Sequence, residues 1–267
     1  MIARRVDTVE LFGPMRRALV DLLASLTDDD WKRPTVCGAW DVRDVVMHLV
    51  GVDTAYVSRH RDGHRIASPA TAVELGPWLH RFNESWVEAG RRLSGPVLVD
   101  LLDAVGPHFD EHVRTIDLDP VTSNVSWASD EPVPVWLDVA REYTERWVHQ
   151  QQIREAVAQQ GLDGASFVGP VLATFVHALP MALRSVAAAG VVELRVTGTG
   201  GGTWHVTGGA GRWELRDGAA DEATARLTTD AGNAWRLFTR HPAASPPEIE
   251  GDPTMGRAAA NAVAIIV

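Results

Sequence analysis

The sequence predicts an α+β protein, with a helical bundle at the N-terminus and a small mixed unit at the C-terminus. Up to about residue 189, apolar residues recur at the spacing of amphipathic helices. After Gly190, short segments such as VVELRVTG and RWELRDG alternate between apolar and polar residues, which indicates antiparallel strands and hairpins. We therefore predict two domains: a bundle over residues 1–165, and an α+β domain over residues 166–267 that includes its leading helix.

Six helices are predicted in the helical part. The first covers residues 5–26, where Gly13 and Pro14 are expected to bend or divide it. The second begins at the N-cap Asp41, with Asp44 in its first turn. The others cover 70–94, 96–116, about 135–160 and about 168–189; a Gly-Pro pair interrupts the third and fourth, and a polar loop is predicted over 117–134. In the C-terminal unit, the stretches AGNAWRLFTRH and TMGRAAANAVAIIV supply the helices.

Composition and charge limit the function. The 267 residues carry a formal net charge of -10, which argues against nucleic acid or an anionic membrane surface as the main partner and favours small molecules. Cys37 is the single cysteine, so neither an intramolecular disulfide nor a four-cysteine metal site is possible. No stretch approaches the apolar length of a membrane span. We expect a cytoplasmic protein, and the sequence leaves its oligomeric state open.

Two histidines and a glutamate form the strongest candidate site. Glu145 and His149 lie four residues apart on the fifth predicted helix and therefore share one face of it, while His48 lies on the second helix beside Asp44. Two imidazoles and one carboxylate are a known ligand set for catalytic zinc, although iron or nickel would also accept this set. In the competing interpretation, Glu145 and His149 are a solvated surface pair and His48 is a capped or half-exposed residue.

Three other patterns compete with this site. His108 and His112 match the H-x-x-E-H pattern of inverted zinc peptidases, but that pattern needs a further acidic ligand and no partner segment stands out. His60 and His64 also have ligand spacing, in a segment whose glycine and polar residues indicate a fraying helix end. Cys37 is a candidate activated thiol, yet nothing in VCGAW supplies a basic partner, and a role in stabilising a loop is the simpler interpretation.

Several motifs together resemble the mycothiol-dependent maleylpyruvate isomerase family. The run WKRPTVCGAWDVRDVVMHL at 31–49 is similar to the opening of that family, and ERWVH falls where its second and third metal ligands are expected. Near the C-terminus, WRLFTRHP followed by EIEGDPTMGRA is similar to its usual ending. The resemblance spans nearly the whole chain. It implies a DinB-like four-helix bundle followed by a small sterol-carrier-like α+β domain.

The same resemblance implies a set of site residues. His48, Glu145 and His149 would bind zinc, with mycothiol as the thiol cosubstrate. Arg240 would be the catalytic cation for the carboxylate or enolate end of a small electrophilic substrate. The chain departs from the family at residues 150–152, which are all glutamine where an aspartate is often found, and before Arg240, where Phe-Thr replaces Trp-Gly.

The expected chemistry is the attack of a metal-bound thiolate on a small electrophile. A free thiol, with a pKa of about 8.5, is mostly protonated at neutral pH, and coordination to a divalent cation makes the thiolate dominant. Loss of the thiol after bond rotation gives cis-trans isomerisation, whereas its retention gives S-transfer, and the sequence leaves both open. The alternative is a non-catalytic binding module with a structural metal or a bound apolar ligand.

Overall fold

The structure, a computed structural model, describes residues 4–66 and 72–264 of the chain. Residue contacts divide the described chain into two compact units. The helical unit consists of residues 9–66, 72–116 and 145–162, and the sheet unit consists of residues 4–8, 117–144 and 163–264. This mixture of helix and sheet confirms the predicted α+β class.

The helical unit contains four helices and the last part of a fifth. They are α1 (Phe12–Ala24), α2 (Val42–Tyr56), α3 (Ala72–Gly90), α4 (Gly95–Thr115) and the end of α5 (Val135–Ala156). Helix α2 is central because it packs against both α3 and α4. Buried side chains from four of these helices share one apolar core, among them Leu23, Val45, Leu98 and Ile153. Removing these side chains from water is the main force that stabilises the unit.

Helix α2 begins as its sequence predicts and approaches α3 closely. The side-chain oxygen Oδ1 of Asp41 accepts a hydrogen bond from the backbone N–H of Asp44 at 2.9 Å, which confirms the predicted N-cap. Further along α2, a Cβ atom added to Gly51 would lie 2.7 Å from Cγ of Trp86 on α3. A side chain at position 51 would therefore push the two helices apart.

The Gly-Pro pairs do not divide the helices in the way that the sequence predicts. Gly13 and Pro14 lie in the first turn of α1, where a missing backbone N–H has no intrahelical partner to lose. Pro77 and Pro107 lie inside α3 and α4, which continue past them. In α4, Phe109 is buried two residues after the proline, so packing against α1 and α2 outweighs the local cost of the proline.

The segment predicted as a polar loop, 117–134, contains a short two-stranded sheet. Strands β1 (Val121–Ser123) and β2 (Val133–Pro134) pair antiparallel. A small apolar cluster that includes Val6, Val125 and Trp136 packs beside this sheet. Residues 4–8 and 117–144 consequently belong to the sheet unit, whereas the predicted domains place them in residues 1–165. The predicted division into two domains, with a boundary between residues 165 and 166, stays a prediction.

Among the residues that the structure describes, one helical stretch is long and apolar enough to cross a membrane. It runs from Ala165 to Leu183, has a mean hydropathy of 1.6 and comprises α6 (Ala165–Phe175), a 3-10 turn (Val176–Ala178) and α7 (Leu179–Leu183). The expectation that no stretch reaches this length is therefore wrong. More than half of the stretch, 56%, is buried within the structure, and a core helix of a soluble protein meets the same criterion.

A five-stranded sheet forms the rest of the sheet unit. Its strands are β3 (Gly190–Thr197), β4 (Gly202–Gly209), β5 (Arg212–Asp217), β6 (Ala225–Asp230) and β7 (Glu248–Gly251), in the order β5-β4-β3-β6-β7. The two predicted C-terminal helices correspond to α8 (Ala231–Phe238) and α9 (Pro253–Ala260). Helix α9 ends before the predicted stretch does: residues 261–264 are not helical, and residues 265–267 lie outside the described residues. Antiparallel pairing is confirmed for three of the four strand pairs, but β3 and β6 run parallel. Strands β4 and β5 both lie on one side of β3, and the connection formed by residues 218–224 takes the chain across to β6 on the other side.

A buried histidine should make the free energy of unfolding of the protein depend on pH. His177 is 8% exposed, packs against the ring of Trp136 with 5.5 Å between ring centroids, and has a pKa that burial lowers from 6.5 to about 4 despite the charge of Asp217. In the unfolded chain this histidine has its ordinary pKa of 6.5, so it binds a proton at a higher pH than in the folded protein. The free energy of unfolding therefore decreases as the pH falls from 6.5 towards 4. Between pH 8 and pH 5 the loss should be about 2 kcal/mol.

This acid effect is measured by urea unfolding at pH 8 and pH 5, with His177→Phe as the matched variant. Phenylalanine keeps an aromatic ring beside Trp136 but does not titrate. We expect the free energy of unfolding of the wild type to fall by about 2 kcal/mol more than that of the variant over this range. Equal losses in both proteins would show that His177 is not the source.

Candidate metal centre

Helices α2 and α5 bring the three predicted side chains together within the helical unit. The Nε2 atom of His48, on α2, lies 3.3 Å from Oε1 of Glu145, on α5. The Nε2 atom of His149 lies 3.2 Å from the same oxygen. Donor atoms of all three residues lie within 4.8 Å of one another. Side chains as far as 101 positions apart in the sequence, those of His48 and His149, therefore converge on one point.

Burial contradicts the interpretation of these residues as solvated surface groups. His48 is only 3% exposed, and the side chains of Glu145 and His149 are 25% and 14% exposed. A stripe of mostly aromatic residues on nearly the opposite side of α5 is also buried; its members are Trp136, Ala140, Tyr143 and Trp147. Helix α5 is thus buried on two sides, and the polar face that carries Glu145 and His149 is mostly shielded from solvent.

The three titratable groups shift one another's pKa values. Burial lowers the pKa of His48, and a hydrogen bond with Glu145 opposes that shift without cancelling it. Burial alone would raise the pKa of Glu145, but hydrogen bonds from His149 and His48 hold it well below its usual range. Burial would lower the pKa of His149, yet contacts with Cys37 and Glu145 outweigh burial and raise it to about 10. The carboxylate therefore attracts positive charge to this point.

This donor set fits a divalent cation. Two imidazole nitrogens and one carboxylate oxygen form a common set for catalytic zinc, with a fourth position open for water or substrate. The shared oxygen of Glu145 lies within hydrogen-bonding distance of both Nε2 atoms, so a cation that replaced the bridging protons would meet all three donors. The role of His48, Glu145 and His149 as metal ligands stays a prediction.

A tight turn before α2 and the last turns of α5 surround this centre. The side chain of Gln152 contacts the ring of His149, with 2.6 Å between Oε1 of Gln152 and Nδ1 of His149. The thiol of Cys37, from the turn, donates to the same Oε1 atom at 2.8 Å. The indole ring of Trp40 packs against the ring of His48 with 5.2 Å between centroids, and its Nε1 atom donates to Glu84 at 2.7 Å.

Residues 12–154, which contain this centre, match the family model described as the mycothiol maleylpyruvate isomerase N-terminal domain. The match covers more than half of the 267 residues. The chain belongs to the mycothiol maleylpyruvate isomerase family. The resemblance found in the sequence motifs is thereby confirmed, and the three candidate metal ligands, His48, Glu145 and His149, lie inside the matched domain.

Two solved structures share the fold of this mycothiol maleylpyruvate isomerase family member. One is a crystal structure of the mycothiol-dependent maleylpyruvate isomerase, which is 12% identical in sequence, with a TM-score of 0.51 over 86% of each chain. The other is a crystal structure of a mutant of the mycothiol-dependent maleylpyruvate isomerase, 11% identical, with a TM-score of 0.50 over 86% of each chain. A search of curated proteins finds no match to the chain.

The competing histidine patterns do not form a comparable group in this family member. Within residues 4–66 and 72–264, the triad is the one set of three or more histidine, cysteine or acidic residues whose donor atoms all lie within 4.8 Å. His108 and His112 lie on α4, and His108 is exposed. His60 lies in a π-helical turn, Val57–Arg61, after which the helix ends, and His64 follows it in irregular chain. The predicted fraying helix end is confirmed.

Arg240, the predicted catalytic cation of the mycothiol maleylpyruvate isomerase family member, lies in the sheet unit just after α8. It is exposed and adopts a φ of 55°, in the left-handed region that residues other than glycine rarely occupy. Its backbone N–H donates to the carbonyl of Leu237 at 3.3 Å, which closes the turn that ends the helix. Its catalytic role stays a prediction.

Sequence reasoning underestimated two neighbours of the triad in this mycothiol maleylpyruvate isomerase family member. Gln152 was recognisable as a residue on the face of Glu145 and His149, but not as a hydrogen-bond partner of the imidazole. The local sequence around Cys37 offers no basic partner, whereas in the structure His149 Nδ1 lies 4.0 Å from the Sγ atom of Cys37. The contact joins residues 112 positions apart, and no local signal predicts it.

Proposed function

We propose that this protein is a zinc-dependent isomerase that uses mycothiol as its thiol cosubstrate. In this proposal His48, Glu145 and His149 hold the zinc ion, and the substrate is a small electrophile with an activated carbon-carbon double bond. The observation that supports the proposal best is the convergence of two imidazoles and one carboxylate within a domain of the mycothiol maleylpyruvate isomerase family.

The chain's own residues set the charge of the proposed site. A zinc ion held there would lower the pKa of a thiol bound to it, so that the thiolate predominates at neutral pH. Glu145 contributes one negative charge, while His48 and His149 must be neutral to act as ligands. The ligand set therefore leaves a net charge of about +1 with a divalent cation, which suits an anionic thiolate.

The proposed reaction needs no change in oxidation state. The thiolate adds to one carbon of the double bond, and the electron pair moves to the neighbouring carbonyl to form an enolate. Rotation about the new single bond, followed by elimination of the thiolate, restores the double bond in the other geometry. If a solvent proton quenches the enolate first, the thioether is retained and the outcome is S-transfer. In either case Arg240 is proposed to bind the carboxylate or enolate end of the substrate.

The alternative, a binding module for an apolar ligand, gains no support from the sheet unit. The apolar cavity beneath α8 and α9, lined by Leu194, Leu227 and Phe238 among others, has a volume of about 20 Å³. Measured in this way, as the space open to the centre of a water molecule, about 10–15 Å³ is needed to hold one water. The cavity is therefore too small for an apolar ligand without rearrangement of its walls.

The proposal is tested by metal analysis together with an isomerisation assay. Protein purified in zinc-containing buffer should retain about one equivalent of zinc and should convert maleylpyruvate only when mycothiol is present. His149→Ala should lose zinc and turnover together, whereas His108→Ala, which removes an exposed histidine of α4, should keep both. Wild-type protein that stays metal-free in this buffer would contradict the proposal.

A further inference from the structure

The hydrogen bond between Gln152 and His149 controls which nitrogen of the imidazole is available. Gln152 follows His149 by three residues on α5, and its Oε1 atom lies 2.6 Å from Nδ1. The other ring nitrogen, Nε2, lies 3.2 Å from Glu145. A carbonyl oxygen only accepts hydrogen bonds, so Nδ1 must carry the hydrogen. In the neutral ring Nε2 then has a free lone pair directed towards Glu145 and the triad.

This reasoning depends on the orientation of the Gln152 amide, because a flipped amide would present N–H to Nδ1 and favour the opposite tautomer. Cys37 fixes the orientation. Its thiol is a donor and lies 2.8 Å from the same Oε1 atom. If the amide nitrogen stood there, it would lose the hydrogen bond from the thiol. The thiol therefore selects the oxygen for this side, and the oxygen in turn selects the N–H at Nδ1 of His149.

The turn before α2 holds the Cys37 thiol in place. The backbone N–H of Cys37 donates to Oγ1 of Thr35 at 3.1 Å, and the backbone N–H of Trp40 donates to the carbonyl of Cys37 at 3.1 Å. Gly38 between them has a φ of 63°, which few other residues adopt without strain. The thiol is thus fixed by a short, internally bonded loop.

We propose that Gln152 is a positioning residue that holds His149 in its Nδ1–H tautomer, with Cys37 orienting the Gln152 amide. This inference rests on the proposed function, because it assigns Nε2 of His149 to the zinc ion. Gln152 is neutral, so it orients the ring without reducing the net positive charge of the ligand set. A carboxylate at position 152 would cancel that charge and make the centre less favourable for an anionic thiol.

The first test compares near-isosteric variants at position 152. Gln152→Met keeps the length of the side chain but removes the strong acceptor, and we expect zinc affinity, measured by competition with a chelator, to fall about 10- to 100-fold. Gln152→Glu restores an acceptor and should bind zinc at least as tightly as the wild type. Gln151→Met is the matched control, because the Gln151 side chain accepts from the backbone N–H of Leu162 instead, at 2.8 Å.

The second test reads the tautomer directly. In zinc-loaded wild-type protein, the imidazole nitrogen-15 signals of His149 should show a protonated, hydrogen-bonded Nδ1 and an unprotonated Nε2. Gln152→Met should lose the hydrogen-bond shift of Nδ1, whereas Gln151→Met should not. Circular dichroism and thermal unfolding of each variant separate a local effect from a folding defect, which would move all of these signals together.

A third test addresses Cys37. Cys37→Ser keeps a donor to Gln152 and should leave zinc affinity near the wild-type value. Cys37→Ala removes that donor, frees the amide to flip and should weaken zinc binding by about three- to tenfold.

The outcomes separate this inference from the proposed function. If wild-type protein takes up zinc and Gln152→Met binds it equally tightly with an unchanged Nδ1 signal, the positioning role is wrong while the zinc site stands. If wild-type protein takes up no zinc, the proposed function fails, and the positioning role fails with it. Loss of zinc affinity in Gln152→Met, with recovery of zinc affinity in Gln152→Glu, supports both the zinc site and the positioning role of Gln152.

Discussion

Glu145→Ala should remove zinc retention and thiol-dependent turnover together, with kcat/KM falling by about 1000-fold or more. Glu145 places one oxygen between two imidazoles, at 3.3 Å from His48 and 3.2 Å from His149. It is also the only anion of the proposed ligand set. Without it, two neutral imidazoles would have to hold a divalent cation with no charge compensation. The measurements are zinc content after gel filtration and initial rates with and without mycothiol.

Glu145→Gln is the informative companion variant. It keeps the shape of the side chain and one oxygen atom, but it removes the negative charge that raises the pKa of His149 and attracts a cation. We expect weak zinc binding that excess zinc partly restores, whereas Glu145→Ala should not recover. The prediction would be overturned if Glu145→Ala retained zinc and rate, because another group would then have to anchor the metal.

The second large effect concerns stability. Asp53 and Arg146 form an ion pair inside the helical unit, with side chains that are 7% and 11% exposed and with Nη2 of Arg146 donating to Oδ1 of Asp53 at 2.6 Å. The guanidinium group also lies 3.9 Å from the ring centre of Phe109. Asp53→Ala should reduce the free energy of unfolding by about 3–5 kcal/mol, because it leaves a buried cation without its carboxylate.

A double-mutant cycle checks this explanation. Arg146→Met replaces the cation with an apolar side chain, and combining it with Asp53→Ala should recover much of the stability that Asp53→Ala alone loses. Asp119→Ala is the control, because it breaks an ion pair with Arg5 whose side chains are 42% and 81% exposed, and it should cost less than about 1 kcal/mol. Purely additive losses in the double variant would show that the two buried charges do not compensate each other.

The sequence predicted the elements with strong periodicity and clear end signals. Helix α2 begins at the Asp41 cap as expected, and the alternating segments after Gly190 are strands of one sheet. The proline signals were misleading because tertiary packing outweighs their local cost, as α4 shows by continuing past Pro107. The parallel pairing of β3 with β6 was not predictable, because strand order depends on contacts between distant segments.

The candidate site, too, has one part that the sequence predicts and another part that it does not. The i,i+4 spacing put Glu145 and His149 on one face of a helix, which the periodicity of a helix guarantees. That His48 meets them was expected from the chemistry of the combined ligand set and from the resemblance to the family, because helical spacing says nothing about which helices are neighbours. The contact of Gln152 with Cys37 depends on the loop conformation that Thr35, Cys37, Gly38 and Trp40 define together, and no local pattern predicts it.

The packing of two helices in the helical unit depends on the absence of a side chain at Gly51. It lies one turn after His48, and its missing side chain is what lets α2 rest directly on Trp86, since a Cβ atom there would lie 2.7 Å from Cγ of the indole. The close packing of α2 on α3 therefore depends on a residue with no side chain. In evolution, we expect a side chain acquired at this position to move α2, and with it the imidazole of His48, away from Glu145 and His149 while the rest of the bundle still folds.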